Sequence, residues 1–280
     1  MSNLVRDGDQ VERRSFQVGC RLDYEVRDET TFIFNVTPAR CSTQYIGTEN
    51  ISVAPNIPMD EYVEQVHGNR YHRLCCHGQT SLSVQFDATV MTTPQSQNPS
   101  NHQFAALPSS LPLDMLTYLF PSRYCQSEQL QIFAQQEFSR FPRGLSQVEA
   151  ICEWVHNNIH YVLGSTGSMT TAFDTFKSRA GVCRDFTHLA ISFCRAVAIP
   201  ARFVSGYAVG LDPPDFHALL EVWIADGWHL LDPTHKVDVN QFVRIGMGRD
   251  AAETSFAFIF GDAYMQSMNV SCLEQYAEKY

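Results

Sequence analysis

The stretch from Arg179 to Arg202 restricts the possible fold of this chain more than any other part of the sequence. It begins with a turn at Ala180 and Gly181, and a helix follows whose first residue is Cys183. Apolar residues then recur at spacings of three, four and seven, which is the period of one buried helix face, at Phe186, Leu189, Ala190, Phe193, Cys194 and Val197. Pro200 ends the helix. We therefore predict a buried helix against which the neighbouring elements must pack.

A cysteine in the first turn of a helix has a distinctive electrostatic environment. Unpaired backbone N–H groups and the positive end of the helix dipole stabilise its thiolate. Cys183 is therefore a candidate nucleophile, and a nucleophile of this kind needs a base beside it.

The composition indicates a globular protein whose partners are polar molecules or other proteins. The chain has 280 residues, 44% of them apolar, which is enough for one large domain or two modest ones. Its formal net charge is -10 and no basic residues cluster, so we predict that it does not bind nucleic acid. The charged N-terminal stretch and the absence of a long apolar run predict a cytoplasmic protein without membrane association.

The cysteines and histidines do not form a recognisable metal site. The nine cysteines lack the regular spacing of a disulfide framework, so we expect reduced thiols. Cys75 and Cys76 are adjacent, which is poor geometry for a shared zinc ion. His156 and His160 lie four residues apart on a predicted helix, but no nearby side chain completes a site. We therefore predict neither a metal nor a cofactor.

The residue pattern divides the chain into four segments. Residues 1–15 form a polar tail, and residues 16–93 contain short segments rich in Val, Ile, Thr, Tyr and Phe between turn signals. This alternation predicts an all-β, sandwich-like domain. Residues 94–112 are rich in Pro, Ser, Asn and Gln and are predicted to be a linker. Residues 113–280 are predicted to form an α+β domain that contains the Cys183 helix.

Within this second domain, helical periods come first and strand periods follow Pro200. The predicted helices that precede Cys183 are Met115–Phe120, Ser127–Phe138, Ser146–Ile159 and Phe173–Lys177. The predicted strands are Ala201–Ala208, Phe216–Ile224, Trp228–Asp232, Ser255–Phe260 and Met268–Val270.

His217 and Asp232 follow Cys183 on two successive predicted strands, in the order nucleophile, base and orienting acid. Their side chains share a face only if the hairpin loop has an even number of residues. A two-residue turn at Asp226 and Gly227 would leave them offset by about 13 Å along the strands, whereas a four-residue loop from Ile224 to Gly227 reduces the offset to about 7 Å. We therefore predict the longer loop or a bulge.

Each of these residues also has an ordinary structural interpretation. Cys183 resembles a small buried hydrophobic residue, His217 a hydrogen-bonded strand histidine, and Asp232 a turn carboxylate before Pro233. The residues alone leave the catalytic and the structural interpretations open.

Five ordered motifs between Ile151 and Pro233 closely resemble the transglutaminase-like superfamily. They are Gly181–Phe186 (GVCRDF), Ile199–Arg202 (IPAR), Ser205–Tyr207 (SGY), His217–Val222 (HALLEV) and Gly227–Thr234 (GWHLLDPT). The resemblance implies a papain-like core in which Cys183, His217 and Asp232 form a catalytic triad.

The resemblance extends to bacterial transglutaminase-like proteins that are considered cysteine proteases. They have an N-terminal β-domain, a segment like Pro121–Cys125 and a segment like Arg249–Ala252. One position departs from the family pattern, because a tryptophan commonly follows His-Ala and this chain has Leu219. We therefore expect an acyl pocket of different shape beside a complete triad.

The resemblance implies acyl transfer from a peptide or protein amide through a thioester on Cys183. Water as the acceptor gives a peptidase or amidase, and an amine gives a protein-glutamine transglutaminase. No acidic calcium-binding loop is present in the sequence, which favours hydrolysis. A peptide:N-glycanase-type amidase and a non-catalytic binding scaffold are the other interpretations.

Overall fold

The computed structural model describes residues 13–94 and 104–275. Most of the predicted tail and the middle of the predicted linker lie outside these residues. The predicted fold class is confirmed, because an all-β region with sandwich-like sheets precedes a core of helices packed on an antiparallel sheet.

Of the described strands, six precede the α-helices, two short ones lie among them, and six follow. The described strands are β1 (Arg14–Val26), β2 (Thr30–Phe34), β3 (Gln44–Ala54), β4 (Asp60–Val63), β5 (Arg70–Cys76), β6 (Ser81–Thr92), β7 (His160–Tyr161), β8 (Ala180–Gly181), β9 (Ala201–Ala208), β10 (Phe216–Ile224), β11 (Gly227–Leu231), β12 (Phe242–Gly248), β13 (Ala257–Phe260) and β14 (Ala263–Gln275). The α-helices are α1 (Ser127–Phe138), α2 (Leu145–Asn158), α3 (Ala172–Ser178) and α4 (Cys183–Ala196), and short 3₁₀ helices span Pro108–Ser110, Leu113–Leu119 and Val239–Gln241.

The all-β region consists of two four-stranded sheets, ordered β14-β1-β6-β3 and β13-β2-β5-β4. Alternate side chains of each inner strand are buried, as the period of a strand requires. Both sheets contribute to one apolar cluster, and β1 supplies Phe16, Val18 and Leu22 while β2 supplies Phe32 and Phe34. These two sheets therefore share a core, as in a sandwich.

The last two strands join this all-β region. β14 pairs antiparallel with β1, and β13 pairs with β2. The sequence predicted strands at both positions but as parts of the segment 113–280. The alternation of side chains along a strand does not identify the distant strand with which it pairs. The segment boundaries at residues 93 and 112 stay predictions.

Helix α4 packs on a third four-stranded antiparallel sheet, ordered β11-β10-β9-β12. Phe186, Leu189 and Phe193 of this helix are buried in a cluster that contains residues of α1, α2, β9 and β10. The predicted helix face is therefore the core of this region. A separate cluster on the sheet joins Val204 and Leu219 to Ala39 of the all-β region.

The hairpin between β10 and β11 differs from the prediction in its loop and agrees with it in register. Ile224 pairs with Gly227, so the loop has two residues, Ala225 and Asp226, and the predicted longer loop or bulge was wrong. Both loop residues have positive φ, 50° and 62°, as the tight type I′ turn requires. Trp223 nevertheless pairs with Trp228, the same register that a four-residue loop would have produced.

We expect the variant Gly206→Ala to destabilise the protein. Gly206 lies on β9, and an added Cβ would collide with the carbonyl oxygen of Val243 and the ring of Phe242. Overpacking of this kind should lower the free energy of unfolding by about 2–3 kcal/mol, measured by chemical denaturation. Gly227→Ala is the matched control, because no atom lies within 4 Å of the added Cβ. Equal stability of the two variants would contradict this packing.

Candidate active site

Cys183 is half-buried and is the first residue of α4, where the sequence predicted it. The carboxylate of Asp185 accepts hydrogen bonds from the backbone N–H of Val182 at 2.9 Å and from the hydroxyl of Thr166 at 2.6 Å. Gly181 passes close to this carboxylate, since a Cβ there would lie 2.7 Å from the Cβ of Asp185. These contacts fix the turn that presents Cys183 at the positive end of the helix dipole.

His217 lies on β10 of the sheet that supports α4, and Asp232 directly follows the adjacent strand β11. Nε2 of His217 and Oδ2 of Asp232 are 3.3 Å apart, and both side chains are buried. The hairpin register explains this contact, because Leu220 pairs with Leu231 and leaves the two residues in a diagonal position. The other ring nitrogen of His217, Nδ1, is buried, and among the described residues no group meets the distance and angle of an ordinary hydrogen bond to it.

The chain around Asp232 surrounds its carboxylate with donors. Oδ1 accepts hydrogen bonds from the backbone N–H and the hydroxyl of Thr234, at 2.8 and 2.7 Å. Oδ2 accepts from the backbone N–H groups of Lys236 and Val237, at 2.9 and 3.0 Å. These bonds fix the orientation of the carboxylate that holds the imidazole.

Helix α2 supports this loop from outside. The rings of His156 and His235 stack with their centroids 4.3 Å apart, and Nδ1 of His156 lies 3.1 Å from the carbonyl oxygen of Thr234. His160 lies on β7, beyond the end of the helix, so the structure does not place the two histidines together as helical ligands.

Burial and hydrogen bonding oppose each other at the His217–Asp232 pair. Burial lowers the pKa of His217, but the hydrogen bond to Asp232 and the interaction with the Cys183 side chain outweigh it and raise this pKa to about 9. Burial would raise the pKa of Asp232, but bonding to His217 and Thr234 outweighs it and lowers this pKa below its usual value. The pair therefore favours an imidazolium beside a carboxylate.

Two cavities meet at His217. Cys183 and His217 both line a cavity of about 200 Å³, together with Phe216 and Ala251. His217 and Phe216 also border a larger cavity of about 570 Å³ that is lined by Tyr161. The two cavities therefore share Phe216 and His217 in their walls.

Leu219 occupies a different environment from the one expected for it. Its side chain is fully buried in the cluster with Ala39, Val204 and Phe242. Leu219 therefore packs the sheet against the all-β region, and the cavity shared by Cys183 and His217 is lined by other residues.

Tyr161 is a site residue that the sequence analysis missed. β7 pairs parallel with β8, and Tyr161 lies opposite Gly181 in this pairing. Burial raises the pKa of the Tyr161 phenol, the charge of Cys183 raises it further, and the backbone N–H of Cys183 acts in the opposite direction. The phenol therefore lies beside both the thiol and the N–H of Cys183. A strand of two residues is too short to show the alternation of side chains that predicts a strand. Only the turn signals around it could have indicated a role for Tyr161.

The two segments singled out beside the main motifs, Pro121–Cys125 and Arg249–Ala252, meet on α4. The backbone N–H of Tyr124 donates to the carboxylate of Asp250 at 2.8 Å. His188 on α4 accepts a hydrogen bond from the N–H of Ala251 at 3.1 Å, and its ring stacks on Tyr124. Since Ala251 lines the cavity of Cys183, these contacts connect the helix directly to one cavity wall.

Arg202 and Glu221, which belong to two of the motifs, form a buried ion-pair network rather than part of the cavity wall. Nε of Arg202 donates to Glu221 at 2.7 Å, and Arg244 donates to the other carboxylate oxygen at 2.8 Å. The Arg202 guanidinium also lies 3.9 Å from the ring centroid of Trp228. This network joins β9, β10, β11 and β12.

Comparison with known proteins identifies the family of the chain. The family model of the transglutaminase-like superfamily matches residues 134–233, and the model of the bacterial transglutaminase N-terminal domain matches residues 14–104. The crystal structure of a "Putative Cysteine Protease" from Cytophaga hutchinsonii is 41% identical to the chain, with a TM-score of 0.92 over 96% of this chain and 93% of that one. The chain belongs to the transglutaminase-like superfamily. The resemblance stated from its motifs is thus confirmed.

Two mycobacterial proteins match parts of this superfamily member. The uncharacterized protein ML0607 of Mycobacterium leprae is 27% identical over 186 residues, which are 63% of this chain and 66% of that protein. The uncharacterized protein Rv2569c of Mycobacterium tuberculosis is 30% identical over 165 residues, which are 53% of this chain and 52% of that protein. The match therefore spans between about half and two thirds of these relatives.

Membership in the superfamily and the likeness to the Cytophaga protein support a thiol-dependent enzyme in general terms. Within the described residues, no helix is long and apolar enough to cross a membrane.

The raised pKa of His217 predicts a specific pH dependence of stability. Because the folded-state pKa of about 9 exceeds the ordinary value of 6.5, the charged imidazole stabilises the fold fully below pH 6.5, and this contribution is lost as the pH rises through 9. We expect the free energy of unfolding to fall by about 3 kcal/mol over this interval from His217 alone. Asp232→Asn should reduce the fall, as measured by urea denaturation at several pH values.

Asp226→Asn, in the turn of the same hairpin, is the matched control because it removes an exposed carboxylate. The control should behave as the wild type does. The same pH dependence in wild type and Asp232→Asn would show that Asp232 does not hold the charge on His217.

Proposed function

We propose that the protein is a cysteine hydrolase that cleaves peptide or side-chain amides, with Cys183, His217 and Asp232 as its catalytic triad. The observation that carries this proposal is the hydrogen-bonded His217–Asp232 pair, whose imidazole lines one cavity with the thiol at the N-terminus of α4. A buried charged pair costs free energy when its only role is structural, so a cavity-facing pair of this kind favours a catalytic role.

In the proposed reaction, the thiol proton moves to His217 and the Cys183 thiolate attacks the amide carbonyl carbon. The imidazolium then gives its proton to the leaving nitrogen as the C–N bond breaks, which leaves a thioester on Cys183. Neutral His217 next takes a proton from a water molecule that attacks the thioester. The tetrahedral intermediate collapses to a carboxylic acid and the free thiol. Asp232 keeps the ring in place and favours its charged form throughout.

The developing oxyanion needs donors that are fixed before the reaction starts. The backbone N–H of Cys183 is one, since it is unpaired within the first turn of the helix. We assign the second role to the Tyr161 hydroxyl, because the phenol lies beside that N–H and lines the cavity that His217 borders. The phenol O–H can donate a hydrogen bond to an oxyanion formed beside it.

Water is the proposed acceptor, and a peptide or protein amide is the proposed substrate. The described part of the chain has open solvent access at the larger cavity, where Asp212 and Pro213 of the wall are exposed. Location in the cytoplasm and the absence of nucleic-acid or membrane partners stay predictions from composition. An amine acceptor, which would make the protein a transglutaminase, is the main competing outcome.

The acceptor can be tested with a library of glutaminyl peptides and a labelled primary amine. We expect release of acid products to exceed amine incorporation, because the larger cavity is open to solvent. Cys183→Ala should lower the rate by at least about 10³-fold. Cys41→Ser is the matched control, since Cys41 is a half-buried thiol on the all-β region and should keep full activity.

This experiment tests the choice of water as acceptor and the catalytic triad independently of each other. Amine incorporation faster than hydrolysis would refute the choice of water and leave the triad intact. Full activity of Cys183→Ala would refute the triad itself.

The variant Tyr161→Phe tests the oxyanion donor. Loss of one such donor should lower kcat by about 10²-fold with little change in KM, because the bond forms only in the transition state. The rate of Cys183 alkylation by iodoacetamide should stay close to that of the wild type, since this reaction creates no oxyanion. An unchanged kcat, or an equal loss in alkylation, would exclude this role for Tyr161.

A further inference from the structure

A group of metal-binding side chains lies in the all-β region, apart from the candidate active site. Glu29, Cys75 and His77 each place one ligand atom within 4.8 Å of the others. Among residues 13–94 and 104–275, this is the one such group of three His, Cys, Asp or Glu side chains. A thiol, an imidazole and a carboxylate together form a ligand set typical of zinc.

The pairing of β2 with β5 explains why these side chains converge. Thr31 pairs with Cys75 and Thr30 with Cys76. Because side chains alternate along a strand, Cys75 and His77 point to the same face. If the pairing of β2 with β5 is extended by one residue, Glu29 lies opposite His77. Thr30 and Cys76, on the other face, are fully buried in the sandwich. The ligand group therefore occupies the outer face of the sheet, at the end of two paired strands.

The distances suit a tetrahedral ion. Nδ1 of His77 and Oε1 of Glu29 are 3.5 Å apart. Two ligand atoms that are each about 2.0–2.2 Å from a tetrahedral zinc ion are about 3.4 Å from each other. The hydroxyl of Thr31 donates to Sγ of Cys75 at 3.5 Å, as side chains behind a metal ligand commonly do. The remaining distances between the three ligand atoms are within 4.8 Å.

A simple ion pair explains these contacts less well. The side chains of His77 and Glu29 are 67% and 70% exposed, and an ion pair so exposed contributes little to stability. It also leaves unexplained why the Cys75 thiol lies with them. Exposure instead leaves room for a water molecule as a fourth ligand.

We propose that Glu29, Cys75 and His77 bind a zinc ion that joins β2 to β5. The thiolate and the imidazole select a borderline-soft transition metal over Mg²⁺ or Ca²⁺, which prefer oxygen ligands. Binding releases the proton of the Cys75 thiol to solvent as the Zn–S bond forms, so affinity rises with pH. The site could not be predicted from the sequence, because its ligands come from two separate segments and Cys-x-His is not a zinc motif.

The proposal is tested on the full chain after treatment with a chelator and its removal. Zn²⁺ binding is measured by competition with a chromogenic indicator, and Co²⁺ is added as a spectroscopic probe. We expect one equivalent of Zn²⁺ at this site, a thiolate-to-cobalt charge-transfer band in the near ultraviolet, and a higher midpoint of thermal unfolding with Zn²⁺. Cys75→Ser should abolish the band, and His77→Ala should weaken Zn²⁺ binding by at least about 10-fold.

Two control variants separate this site from other thiols. Cys41→Ser is matched to Cys75→Ser, because the Cys41 thiol also lies near a threonine hydroxyl, that of Thr43 at 3.3 Å, and is outside the ligand group. Cys183→Ala removes the candidate nucleophile. Both should keep the cobalt band and the Zn²⁺ affinity of the wild type. The absence of the band in the wild type, its survival in Cys75→Ser, or its loss in Cys183→Ala would overturn the proposal.

Discussion

The hydrogen bonds that hold α4 at its two ends determine where the groups of the candidate site can lie. At its start, the carboxylate of Asp185 accepts the N–H of Val182 and fixes the turn before Cys183. At its end, the buried guanidinium of Arg195 donates to the carbonyl oxygens of Phe120, Ala201 and Arg249. Three separate parts of the chain are therefore tied to one side chain. Any shift of the helix would break buried or partly buried bonds at both ends. Each lost bond costs about 1–3 kcal/mol.

The sheet positions His217 and Asp232 of the candidate site, and the interaction between these two side chains favours the charged form of the imidazole. Burial alone would leave His217 neutral, and the fully bonded carboxylate of Asp232, together with the Cys183 side chain, reverses this preference. That carboxylate in turn depends on a loop that α2 contacts through His156. The properties of one imidazole therefore depend on the strand that carries it, the neighbouring strand, the following loop and a helix behind that loop.

The sequence predicted the features that depend on local periods. The buried face of α4 and the strands β9 to β11 follow from spacing, and the alternation of side chains correctly required His217 and Asp232 to be in a diagonal position. The loop between those strands was not predicted, because Ala225 adopts a positive φ that usually indicates Gly or Asn. Tyr161 was missed since its position depends on pairing between two very short strands. The pairing partners of β13 and β14 could not be predicted, because the alternation of side chains along a strand does not identify the neighbouring strand.

The pairing of β1 with β14 has a consequence for the order in which the protein can be assembled during translation. Arg14 and Glu274, which form a salt bridge across this pair, are separated by 260 positions in the chain. β6 covers one edge of β1 early in synthesis, whereas the other edge has no partner until the ribosome has added β14. The nascent all-β region therefore carries an open sheet edge while all the residues between β6 and β14 are added, and such edges are prone to pairing with other chains. The residues between them, including α4 and its cysteine, emerge while the sandwich is still incomplete.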